Sequence, residues 1–106
     1  MANTFVNASA SILTTPTDIY ICPLNTSSVV YSLYFSNIDG ISDTNVTVEV
    51  WDSSASSTRT LGKNLPIPVG STLEFGKVSL EQNDVLRASA PLVGDVQAFA
   101  SILEIS

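Results

Sequence analysis

Residues 28–36 read Ser28-Val-Val-Tyr-Ser-Leu-Tyr-Phe-Ser36, nine residues rich in β-branched and aromatic side chains with no glycine, proline or charge. Such a run suits an extended chain, whose successive side chains point to opposite faces. Alternation places Val29, Tyr31, Leu33 and Phe35 on one face, read as the core face, and Val30, Ser32, Tyr34 and Ser36 on the other. Asn37-Ile-Asp-Gly-Ile-Ser-Asp43 then ends the strand with residues that tolerate left-handed backbone or bond locally to it. Thr44–Trp51 resumes the alternation, with Val46, Val48 and Val50 inward and Asn45, Thr47, Glu49 and Trp51 outward.

The same period of two recurs on both sides. Upstream, Phe5–Leu13 places Val6, Ala8, Ala10 and Ile12 on one face, Thr14-Thr-Pro-Thr17 breaks it, and Asp18–Ile21 forms a short strand closed off by Pro23. Downstream, Asp52–Thr58 is the most loop-like stretch and is expected to be a mobile tip. Leu61–Ile67 and Thr72–Phe75 flank Pro68-Val-Gly-Ser71. At Gly76 the apolar phase slips from Leu73 and Phe75 to Val78 and Leu80, the mark of a bulge or short turn. After the polar turn Glu81–Asp84, Val85–Ala90 and Val96–Ile105 make the last strands around Pro91-Leu-Val-Gly94. No segment carries a helical stripe bounded by caps. The expected fold is all-β: an antiparallel sandwich of about eight strands, as a jelly roll or an immunoglobulin-like Greek key. A single domain spans 1–106, with residues 1–4 as a flexible arm.

Charge narrows the partners. Ten acids face four cations, Arg59, Lys63, Lys77 and Arg87, for a net charge of −6, and the cations are scattered. Neutralising phosphates needs several basic groups on one face, so nucleic acid and anionic membranes are not expected as partners. Charged residues make up 13% of the chain, against roughly 25% for soluble domains, and Ser and Thr fill the difference. With a mean hydropathy of +0.30, this weakly repulsive surface points to assembly into homo-oligomers. The amino-terminal stretch lacks a basic segment followed by an apolar one, so no cleaved signal is expected and synthesis is assigned to the cytoplasm. The sequons at Asn7, Asn25 and Asn45 are accordingly read as chance matches.

The chain contains no histidine, which removes the usual general base and the Ser-His and Cys-His pairings. A two-carboxylate glycosidase needs no histidine. Its candidates here, Asp39, Asp43, Glu49, Asp52, Glu74 and Glu81, fall in turns or on solvent faces, so no catalytic residue is assigned and the protein is read as a non-enzyme without cofactors. Asp39 and Asp43 with Asn37 and Asn45 could offer oxygens to calcium, but their spacing misses the EF-hand loop and fits a turn held by Asx hydrogen bonds. Cys22, the single cysteine, reads as a small buried hydrophobe. Trp51 either caps the core or anchors an interface that Tyr34 and Val30 extend.

Three segments carry a resemblance. Ser28-Val-Val-Tyr-Ser-Leu-Tyr-Phe-Ser-Asn-Ile38, Leu65-Pro-Ile-Pro-Val-Gly-Ser-Thr-Leu-Glu74, and Leu80-Glu-Gln-Asn-Asp-Val-Leu-Arg-Ala-Ser-Ala90 followed by Ser101-Ile-Leu-Glu-Ile105 are together similar to small β-sandwich virion proteins of tailed bacteriophages, especially of the cyanophage type. The resemblance covers most of the chain from Asp18 onward and implies a structural part of the virion made in the host cytoplasm. Within that range a compact, acidic, low-charge domain with no long helix or fibre-like repeat suits a capsid decoration protein, partnered by copies of itself and by the major capsid protein. The alternative is a tail, neck or fibre component that binds a host receptor or glycan.

Overall fold

The computed structural model describes residues 3–106. They form nine strands: β1 (Asn3–Ser11), β2 (Thr17–Ile21), β3 (Ser27–Asn37), β4 (Thr44–Asp52), β5 (Ser57–Ile67), β6 (Thr72–Glu74), β7 (Val78–Leu80), β8 (Val85–Ser89) and β9 (Val96–Ile105). One sheet has the order β1-β9-β3-β6, with β7 also on β3, and the other the order β2-β8-β4-β5. Every pairing is antiparallel. The β6 and β7 strands occupy one edge position, interrupted at Phe75–Lys77, where Gly76 takes a φ of 121°. The phase slip at this glycine is therefore a break in an edge strand. With these two counted as one position, the pairings nest: first strand with last, second with next to last, β3 with β6 and β7, and β4 with β5.

The sheets close on an apolar layer that includes Ile12, Val30, Leu33, Phe35, Val46, Val48, Leu86 and Ile102. Each large side chain removed from water contributes roughly 1.5–3 kcal/mol before conformational entropy is charged against it. In β4, Val46, Val48 and Val50 face inward as alternation requires. The β3 strand departs from its expected register. Val30 pairs with Ile102 and Ser32 with Ser101, leaving Tyr31 as the extra residue of a bulge. A bulge inserts one residue and reverses the alternation beyond it. Val30, Leu33 and Phe35 are fully buried while Tyr31 is 43% exposed, so Val29 and Tyr31 do not belong to the core face and Val30 does.

Two boundaries also differ from the expectation. Asn3 and Thr4 pair with Ile105 and Glu104, so these two residues are sheet and not arm; residues 1 and 2 lie outside the described residues. The β5 strand begins at Ser57, four residues before Leu61, because Asp52 pairs with Ser57 to close a hairpin. The expected tip shrinks to a tight turn in which Asp52 accepts from the Ser54 hydroxyl at 2.9 Å and Ser53 bonds to Asp84.

Candidate interaction surfaces

Of the carboxylates that could have served catalysis or a cation, Asp39, Asp43 and Asp52 are engaged in shaping turns. Asp39 accepts from the Ile41 N–H at 3.1 Å and Asp43 from the Val69 N–H at 2.9 Å. Buried Asn37 accepts from the Asp39 N–H at 3.0 Å, and its amide donates to the carbonyls of Ser42 and Ile67 at 2.9 and 3.0 Å. This loop is thus an Asx-held turn, its side-chain oxygens directed at backbone N–H groups. Among the described residues, no three His, Cys, Asp or Glu side chains come together in a way that could hold a metal ion.

A further carboxylate, which local sequence did not single out, fastens two turns. Asp84 accepts from the Ser53 N–H at 2.9 Å, the Ser53 hydroxyl at 2.8 Å and the Glu81 N–H at 2.9 Å. Burial pushes its carboxyl up, but these three donors outweigh burial and hold it below the ordinary value. Next to it, Cys22 is fully buried, and burial pushes its thiol up. The Ser28 hydroxyl lies 3.2 Å from Cys22 Sγ and 2.8 Å from the Tyr20 hydroxyl, which in turn donates to Glu104.

The outward side chains form two unlike faces. On the β2-β8-β4-β5 sheet, Trp51 stands beside Thr58 and Val85, and Ile21 flanks Val85 from the other side. Trp51 therefore lies half-buried over the outside of its own sheet, where it and Ile21 leave Val85 only 7% exposed; it does not cap the core. The next row is charged, Glu49 beside Arg87, with Arg87 paired to Asp18 at 2.8 Å. On the β1-β9-β3-β6 sheet the outer face is aromatic and hydroxylic. Phe99 stands opposite Tyr34, Phe5 opposite Leu103, and the Phe5 and Tyr31 rings meet edge to face with centroids 6.0 Å apart.

The three residues expected to share one interface are thus not together. Val30 is in the core, and Tyr34 and Trp51 sit on opposite outer faces because β3 and β4, adjacent in sequence, belong to different sheets. The aromatic face that Tyr34 does share includes Phe5, Tyr31 and Phe99, and the bulge at Tyr31 concealed its extent from the sequence. A groove of about 530 Å³ also opens between the two sheets, lined by residues of β5 and β7 that include Arg59, Leu61 and Val78.

The fold has known counterparts. A chain from Bacillus endospore appendages, described as a novel family of disulfide-linked pili, superposes with a TM-score of 0.61 at 13% identity, over 99% of this chain and 87% of that one. A chain from the acid-stable capsid of Helicobacter pylori bacteriophage KHP30 superposes with a TM-score of 0.57 at 12% identity, over 100% of this chain and 94% of that one. No family model matches the sequence, and neither does any curated protein. What is shared with these two chains is the β-rich fold.

Proposed function

We propose that this protein is a non-enzymatic structural component of a tailed-phage virion, a capsid decoration protein that assembles through subunit contacts with itself and with the major capsid protein. The observation that carries the reading is the end-to-end match to the KHP30 capsid chain: the sandwich accounts for 94% of that chain and all of this one. The nested strand pairing supports a jelly roll in preference to an immunoglobulin-like Greek key. A surface sparse in charge, with Asp39, Asp43, Asp52 and Asp84 engaged in turns, supports a role in contact and not in chemistry. Trp51 and Tyr34 are proposed interface residues on separate faces, which suits a subunit with neighbours on two sides.

The second reading, a receptor or glycan-binding module of the tail, is favoured by the exposed Tyr31, Tyr34 and Phe99 among hydroxyls, a surface on which sugar rings can stack. Copy number separates the two. Quantitative gel densitometry of purified particles is expected to give hundreds of copies per virion, with density on the capsid exterior. A few to tens of copies, with density at the tail, would replace the first reading by the second.

A further inference from the structure

Four strand positions lie at sheet edges, and three of them are guarded. The β2 strand has five residues, a bulge between Asp18 and Tyr20, and the Asp18–Arg87 ion pair. The β5 strand carries Arg59, Lys63 and Pro66 and shifts register twice against β4. The β6 and β7 strands have three residues each, with Glu74 ending the first and Lys77 just before the second. Short length, charge, proline and bulges are the devices that keep an edge from pairing with another chain. The β1 strand has none of them. It runs nine residues in unbroken register against β9, with no proline or glycine, and no charged side chain precedes Asp18 in the sequence.

Its hydrogen-bond phase can be worked out. The Ile12 N–H donates to the Val96 carbonyl at 2.9 Å, so Ile12 and Val96 form a bonded pair. Bonded pairs in an antiparallel ladder recur every second residue. Ala10, Ala8, Val6 and Thr4 therefore exchange bonds with β9, while the N–H and C=O groups of Asn3, Phe5, Asn7, Ser9 and Ser11 turn to the open edge.

We propose that β1 is a strand-addition edge and that its occupant is β1 of a second copy, related by a two-fold axis beside Asn7. That axis sets Asn7 against Asn7, Phe5 against Ser9 and Asn3 against Ser11, each an open-edge residue meeting an open-edge residue, so every unpaired group finds a partner. Self-complementarity selects the second copy, since one axis sets each open-edge residue against another of the same strand. Charge permits it: a chain of net charge −6 repels itself wherever its acids meet, and β1 is the edge at which two copies bring no like charges together. The outer aromatic face continues into the joint, since Phe5, 71% exposed, would lie beside the partner's strand. This contact deepens the reading of the chain as an assembling part and rests on that reading only for self-association.

The test is sedimentation of the full chain at rising concentration, with amide exchange followed in the same samples. Wild type is expected to reach twice the 11.2 kDa chain mass, with the Phe5, Asn7 and Ser9 amides slowing as it does and those of Val6 and Ala8 protected throughout. Asn7→Pro removes an N–H that β9 does not use, and proline is tolerated on an open edge; it should weaken the dimer roughly tenfold or more. Asn7→Lys opposes two cations across the axis, weakens it too, and serves where circular dichroism shows the proline variant unfolded. A wild type monomeric up to millimolar concentration overturns the proposal, as does a folded variant that dimerises as well as wild type. Virion copy number is a separate measurement, so the two readings can fail independently.

Discussion

The hydroxyl of Tyr20 on β2 donates to the carboxylate of Glu104 on β9, joining the two sheets by a bond between residues 84 positions apart. The Ser28 hydroxyl on β3 completes the group from 2.8 Å. Aromatic burial thus brings a polar tip to the end of the core, and the tip is satisfied by two other strands.

Removing that tip should cost stability and change its pH dependence. A hydrogen bond to a charged group contributes about 1.5–3 kcal/mol, so Tyr20→Phe should lower unfolding free energy by that order. Burial, first, and the Glu104 bond, second, raise the Tyr20 hydroxyl above its ordinary 10.0. Above that value the unfolded chain sheds a proton that the native chain keeps, so wild-type stability must fall as pH rises past about 10. Urea unfolding at pH 9 and pH 11 should show this fall in wild type and a shallower one in Tyr20→Phe. Equal slopes would mean that the tyrosine ionises alike in both states.

Asp84 predicts the opposite limb. Its carboxyl is held below the ordinary 3.8, so as pH falls past that value the unfolded chain takes up a proton first and the native state loses its advantage. Asp84→Ala leaves the Ser53 and Glu81 donors without their acceptor and should cost about 1–3 kcal/mol at neutral pH. Denaturant midpoints measured from pH 6 to pH 2 should converge for variant and wild type. Parallel curves would show that the three hydrogen bonds do not favour the ionised form.

The bulge in β3 makes neighbours behave differently. Val30→Ala removes two buried methyl-sized groups, worth roughly 0.8 kcal/mol each, and leaves a cavity, for a loss of about 2 kcal/mol. Tyr31→Ala forfeits little beyond its ring contact with Phe5, about 1 kcal/mol or less. Uniform alternation through β3 would reverse that order, so chemical denaturation of the two variants decides the register.

These cases show where sequence reading succeeds. Val46, Val48 and Val50 follow simple alternation, and the turn residues between strands announce themselves locally. Tyr31 breaks the pattern because a bulge is set by the pairing partner Ile102, which alternation within β3 does not contain. Ser57–Thr60 carries no apolar signal because an outer edge strand does not need one. Tyr34 and Trp51 looked like neighbours because strand order, a long-range property, was not readable. Asp84 and the Tyr20–Glu104 bond escaped for the same reason: their partners lie 31 and 84 residues away.

Cys22 is the last group whose setting fixes its behaviour. It is fully buried, its backbone N–H donates to the Asp84 carbonyl at 2.9 Å and its carbonyl accepts from Asn83 at 2.8 Å. Burial, first, and the nearby carboxylates Asp84 and Glu104 push its thiol up against the opposing Ser28 hydrogen bond, and only the thiolate attacks. A disulfide reagent such as DTNB should therefore modify the folded protein far more slowly than the urea-unfolded chain, the rate being lowered by the small fraction of molecules that are open. Glu104→Gln should leave that protection largely intact, because access more than charge limits the reaction. Labelling of the native protein at a rate close to that of the unfolded chain would show instead that the strand ends around Cys22 open freely.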